Sequence, residues 1–308
     1  MSRVPPDTVL PAQSETQAPL DPRSGPGMTL VGLPEALVCE TPLGAIGYRQ
    51  AGVLAQTSHV LLHGIGSGSA SWLEQLAAVQ SDQPGLLAWD APGYGQSDDL
   101  ALPSDAHPDA GHYADRLWAW LDALGVEGPL TLVGHSLGAL MAARAAAQRP
   151  ERVARLVLLA PARGYARASA QERQSLLDKR LGALASLGPA GMAQKRAAAM
   201  LTPDADPALV SYVQAVMAEV RPQGYTHAAR LLAGGDLLSD LLQLRCTRVV
   251  ASGHADGVTP PEACQQLAVD AALDWIDLGP VGHACPLQAP GAVNALLGLG
   301  IRLPGQQA

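Results

Sequence analysis

Gly134-His135-Ser136-Leu137-Gly138 places a serine hydroxyl between an apolar run and an alanine-rich helical stretch. A strand-to-helix turn of this G-x-S-x-G form strains the serine backbone and exposes its Oγ. The flanking glycines remove side chains that a tight turn would crowd. The first N–H groups of the following helix face the same spot and favour developing negative charge. Ser136 is therefore the candidate nucleophile.

A serine hydroxyl near neutral pH needs a base. Among the 8 histidines, the base belongs on a loop after the last strand, in chain order Ser…Asp…His. His283 stands there, in Gly279-Pro280-Val281-Gly282-His283, just past an apolar stretch ending at Leu278. A carboxylate must orient that imidazole and stabilise its protonated form. Asp256 follows the strand-like run ending at Ser252. Asp270, Asp274 and Asp277 fall in or beside the next helix and strand, Asp236 and Asp240 precede the run, and no acid follows the run ending at Ala160. An oxyanion needs two preorganised donors. The Leu137 backbone N–H is one, and the loop after His63-Gly64 supplies the other, from Ile65 or alternatively Gly66. Gly64-Ile65-Gly66-Ser67-Gly68 is no dinucleotide loop, because Ser69 stands where the third glycine belongs.

Loops that carry such groups need a scaffold. Short apolar runs at 59–62, 85–89, 129–133, 153–160, 247–252 and 273–278 read as strands buried on both faces. Helical stretches at 71–80, 110–124, 137–148, 260–269 and 290–299 alternate with them, the pattern of a parallel sheet with right-handed crossovers. Residues 37–40 and 45–49 read as an antiparallel edge pair. The rhythm stops over 161–244, which shows helical spacing at 171–184, 190–201, 207–220 and 227–233. The predicted organisation is a core of 29–160 and 245–308, a helical cap of 161–244 and a flexible extension of 1–28 holding six prolines. The cap is expected to supply pocket walls from Tyr165, Met192, Met200 and Tyr212, with Leu184, Met217 and Tyr225 beside them. An apolar pocket of that kind favours medium-chain acyl groups over dicarboxylates.

Composition bounds the partners. Hydrophobic residues are 48% and charged residues 16% of 308, enough apolar surface for a folded core. A net charge of −8 without basic runs excludes nucleic acid. The reading is a small neutral or weakly charged substrate, with oligomeric state open. Cys39, Cys246, Cys264 and Cys285 form no CxxC pair, so zinc is not expected and free thiols in a cytoplasmic setting are. No window is apolar and long enough to span a membrane, and no signal peptide is evident. Phenylalanine is absent, so the core is expected to rest on Leu, Val and Ala with few large rings.

His63-Gly64, the run from Asp90 to Ser97, Gly134 to Gly138, Gly253 to Pro260 and Gly282-His283 together resemble the α/β-hydrolase fold superfamily, specifically its capped serine esterase and C–C bond hydrolase group. The resemblance implies an α/β architecture with an eight-stranded, mostly parallel sheet and a cap formed by the insertion. It also implies that Asp90 to Ser97 is a structural turn, and that no metal or organic cofactor is required. The implied activity is hydrolysis of a small carboxylic ester or lactone through Ser136, His283 and Asp256. Meta-cleavage C–C bond hydrolysis is an alternative, although that group usually carries Asn before the serine and Trp after the base, where this chain has His135 and Ala284. Perhydrolase or haloperoxidase-like activity without cofactor is another, and a non-enzymatic ligand receptor is the reading from a different class.

Overall fold

The computed structural model describes residues 32–103 and 105–300. The 1–28 extension expected from sequence lies outside the described residues.

Eight strands form one sheet: β1 (Leu37–Cys39), β2 (Ile46–Ala51), β3 (His59–Leu62), β4 (Leu86–Trp89), β5 (Leu130–His135), β6 (Val153–Leu159), β7 (Thr247–Ser252) and β8 (Asp274–Asp277). Their order is β1-β2-β4-β3-β5-β6-β7-β8. Only the β1/β2 and β2/β4 pairs are antiparallel. The remaining pairs are parallel, as the continuous apolar runs require.

Successive residues of one strand serve opposite layers. Leu132 and Leu158 pack with α2 (Ala110–Ala123), α3 (Gly138–Gln148) and α8 (Pro261–Asp270). Val133 and Leu159 pack instead with Trp72, Leu76 of α1 (Leu73–Ala77) and Val293 of α10 (Pro290–Leu297). The period of two along each strand thus buries both faces. The core uses more ring surface than the missing phenylalanine suggested. Trp72, Trp89, Trp118 and Trp120 are all fully buried, so tryptophan fills the large volumes.

Between β6 and β7 lies the helical insertion: α4 (Ala170–Arg196), α5 (Pro207–Ala218), α6 (Pro222–Gly234) and α7 (Leu237–Leu241). The two helices expected at 171–184 and 190–201 are the two segments of α4, separated by a kink at Gly188, whose φ of 63° and ψ of 177° are not helical, with Pro189 following it. The helix expected at 71–80 is shorter, a 3₁₀ turn at Ser69–Trp72 followed by α1. A four-residue helix α9, Cys285–Gln288, follows the candidate base and was not legible in the periodicity. Parallel strands deliver their following loops to one sheet edge. The loops after β3, β5, β7 and β8 therefore gather there, with the insertion next to them.

Candidate active site

Ser136 sits between β5 and α3 at φ 52°, a left-handed conformation that a residue with a Cβ rarely adopts. Its backbone N–H donates to the Leu159 carbonyl at 2.9 Å, and its carbonyl accepts from Ala139 and Ala162 at 3.1 Å. Three backbone bonds hold the strained turn. Both flanking glycines are sterically required. A Cβ at Gly134 would sit 2.6 Å from the Gly138 carbonyl, and one at Gly138 would sit 2.2 Å from the Leu62 carbonyl.

His283 and Asp256 meet from two different loops. The His283 Nδ1–H donates to Asp256 Oδ2 at 2.8 Å, and both residues are buried. Asp256 Oδ1 accepts the backbone N–H groups of Val258 at 2.7 Å and Thr259 at 3.0 Å. Thr259 Oγ1 lies 2.8 Å from Asp256 Oδ2 and 3.2 Å from His283 Nδ1. Burial pushes the Asp256 carboxyl up, but the His283 hydrogen bond and charge, with the Thr259 donors, hold it below its ordinary value. The acid stays ionised and accepting. Ser136 and His283 line the same cavity. Among the described residues no hydrogen bond joins Ser136 Oγ to His283, and such bonds often close only around substrate.

The loop after β3 approaches the elbow closely. A Cβ at Gly64 would lie 2.9 Å from the Ser136 Cβ. His63 fixes this loop, donating from Nδ1 to the Gly64 carbonyl at 2.9 Å and accepting at Nε2 from the Ala91 N–H at 3.0 Å. Asp90 Oδ1 accepts the Ser69 N–H at 2.7 Å, and the Asp90 carbonyl accepts Ser97 Oγ at 2.6 Å. The Asp90–Ser97 run is thus a structural turn that braces the loop. Ile65, Gly66 and Leu137 all line the cavity.

His135 packs beside the elbow, with Nε2 donating to the His283 carbonyl at 2.8 Å. Burial first, and the neighbouring His283 second, push its pKa down to about 3. The unfolded chain, with histidine near the ordinary 6.5, binds this proton more readily. Its stabilising contribution is therefore complete above about pH 6.5 and is lost as pH falls toward 3. Half-buried His59 and buried His63 are lowered in the same direction, desolvation being the largest cause at each. Thermal unfolding is expected to show falling Tm from pH 7 to pH 4.5, and His135→Gln should flatten that slope. An unchanged slope in the variant would assign the effect to other groups.

The cavity encloses about 910 Å³, its open mouth included. Of the residues expected in the pocket walls, Tyr165 and Met200 line it. Met192 and Tyr212 do not. Met192 is buried in the main core, and the Tyr212 hydroxyl donates to the Ala70 carbonyl at 2.8 Å, tying the insertion to the core. Leu184 also packs against the main core, whereas Met217 reaches the cavity. The expected all-apolar wall is corrected as well, because Arg180 and Arg196 of α4 line the cavity. The sequence did not single out either arginine, nor Thr259, although Thr259 lies three residues after Asp256.

The family model described as alpha/beta hydrolase fold matches residues 60–283. The chain belongs to the alpha/beta hydrolase fold family. Its similarity to curated members is partial. It is 32% identical to the 1-acylglycerol-3-phosphate O-acyltransferase ABHD5 of Mus musculus over 109 residues, 35% of this chain and 30% of that protein. It is 28% identical to the (lyso)-N-acylphosphatidylethanolamine lipase of Homo sapiens over 106 residues, 34% of this chain and 30% of the other. The aligned stretch thus spans under a third of either relative. Solved structures extend the likeness of the fold over 85% of the chain. An esterase from Thermogutta terrifontis superposes with TM-score 0.74 at 20% identity over 96% of its own chain. The enol-lactonase from Burkholderia xenovorans LB400 gives 0.73 at 19% over 98%, and a bromoperoxidase from Bacillus anthracis 0.73 at 16% over 98%.

Proposed function

We propose that this alpha/beta hydrolase cleaves a small carboxylic ester or lactone through Ser136, His283 and Asp256. The observation that carries the reading is the buried 2.8 Å contact between His283 Nδ1 and Asp256, at a cavity whose floor holds Ser136 on a strained elbow. With Nδ1–H committed to Asp256, the unprotonated ring nitrogen is Nε2, the atom a general base needs.

Ser136 Oγ bonds to the substrate carbonyl carbon as its proton passes to His283 Nε2. The carbonyl oxygen becomes an oxyanion held by the N–H groups of Leu137 and Ile65. Gly66, which lines the same cavity, is the alternative donor. The C–O bond then breaks, and the leaving alcohol takes the proton from His283. Water attacks the acyl-enzyme, gives its proton to His283 and releases the acid, with Ser136 recovering its proton. Each step moves one proton between a fixed imidazole and an oxygen, and Asp256 keeps the ring aligned throughout.

A fluorophosphonate probe tests this directly. It should add one label per folded chain, on the peptide containing Ser136, and p-nitrophenyl acetate turnover should fall in step with labelling. Folded protein that stays unlabelled, or labelling elsewhere, would overturn the proposal.

A further inference from the structure

The cavity lining includes two cations beside its apolar residues. Arg180 and Arg196 lie sixteen positions apart on α4, and a straight helix would separate them by about 24 Å. The bend at Gly188 and Pro189 falls between them, and both side chains line the cavity that holds Ser136. They feel one another. Burial first, and the like charge of Arg180 second, lower the Arg196 pKa, while Tyr225 offsets part of the effect.

No carboxylate among the described residues answers their charges. Among the described residues neither guanidinium pairs with a carboxylate, although Arg163, Arg167 and Arg221 on or beside the insertion each do. Among the described residues Arg180 reaches only the Tyr225 hydroxyl, at 3.5 Å, and its buried Nε has no partner. Arg173 shows the alternative on the same helix, where backbone carbonyls of Ala166 and Ala168 take up the charge. Two half-buried guanidiniums that share one cavity lining, with no carboxylate of the described residues paired to them, carry a desolvation and repulsion penalty. Planar guanidinium forks match carboxylate and phosphate oxygens in bidentate geometry. Buried Tyr225, whose hydroxyl Arg180 reaches, stands 3.9 Å from where a Gly66 Cβ would be, so this part of the lining adjoins the oxyanion loop.

We propose that Arg180 and Arg196 form an anion subsite, and that the substrate is an ester or lactone carrying a carboxylate or phosphate on its own skeleton. The apolar lining, with Val213, Val216, Met217 and Leu287, takes the apolar part of the same molecule. This rests on the hydrolase reading above and reverses the sequence-based expectation that dicarboxylate substrates are disfavoured.

Kinetics on matched esters test it. Wild-type kcat/KM is compared for p-nitrophenyl pentanoate, the p-nitrophenyl hemiester of glutaric acid and a p-nitrophenyl ester ending in a phosphate. At least one anionic ester should exceed the neutral one by about 10- to 100-fold, and which one does so identifies the anion. Arg180→Met with Arg196→Met should reduce the anionic-to-neutral ratio at least tenfold, mainly through KM. Arg167→Met, which removes an exposed charge paired with Asp236, should leave the ratio unchanged. Equal wild-type rates on all three esters, or a ratio untouched by the double variant, would overturn the subsite. A second readout is independent of turnover. Glutarate or glycerol phosphate should raise the Tm of Ser136→Ala protein, and the added double substitution should abolish that rise. Absence of both ester turnover and fluorophosphonate labelling would sink the hydrolase reading alone, while a Tm of Ser136→Ala protein that neither anion raises, or a rise that survives the double substitution, would sink the subsite alone.

Discussion

Ser136→Ala is expected to lower ester turnover by about 10⁴- to 10⁶-fold while leaving the fold intact. The loss is large because no other oxygen nucleophile stands at the elbow, and acyl transfer has no first step without it. A residual rate of about 10³- to 10⁴-fold over water should remain, supplied by the oxyanion donors and by binding. The fold should survive for local reasons. Alanine carries the same Cβ as serine, so the strain at φ 52° is unchanged. The backbone bonds to Leu159, Ala139 and Ala162 do not involve Oγ. Stability should therefore move by less than about 1 kcal/mol, read as an unchanged denaturation midpoint. A variant that keeps wild-type turnover would show that the nucleophile lies elsewhere, and a variant that unfolds would show that Oγ has a structural role no contact here suggests.

The elbow is legible in sequence because its requirements are local. A strand, a tight turn and a helix within some twenty residues leave few residue types for Gly134 and Gly138, where any Cβ would strike backbone. The strands are legible for a related reason, since residues such as Leu132 and Val133 serve two helical layers and must both be apolar. Asp256 and His283 are read by chain order rather than proximity, because they are twenty-seven positions apart and meet only through the β7 and β8 loops.

The insertion is less legible, and the reason is physical. Its residues face three different surroundings (solvent, the core and the cavity), and helical periodicity does not say which face meets which. Met192 and Tyr212 have the composition of pocket walls but are used to dock the insertion. Arg180 and Arg196 have the composition of a solvated helix face and line the cavity instead. The bend at Gly188 decides this. Its φ of 63° turns one helical segment against the next, and no local spacing rule sets the direction of that turn. Substrate choice depends on the same bend, so substrate class is the last thing a linear reading reaches.

Asp256→Asn should lower kcat by about 10⁴-fold, more than the loss of one charge near an imidazole would suggest. Asp256 uses its two oxygens differently. Oδ1 accepts the N–H groups of Val258 and Thr259, and Oδ2 accepts the His283 Nδ1–H. An asparagine has one accepting oxygen and one donating amide. Two backbone donors, fixed by the turn, demand the oxygen on the Oδ1 side. The amide NH₂ must then face His283 Nδ1, which can only accept it if the imidazole proton moves to Nε2. That tautomer presents a proton to Ser136 where a lone pair is needed. The opposite amide orientation would set NH₂ against two N–H groups and leave buried donors unpaired, at about 1–3 kcal/mol. Turnover and fluorophosphonate labelling should fall together, since both need an activated Ser136, while binding of glutarate or a phosphate ester at the arginine wall should persist. The carboxylate also contributes to stability with a defined sign. Its pKa is held below the ordinary 3.8, so its stabilising contribution is present above that pH and lost as pH falls through the lowered value. The variant should lack that acid-limb dependence. An Asp256→Asn protein within tenfold of wild-type kcat would place the orienting carboxylate elsewhere.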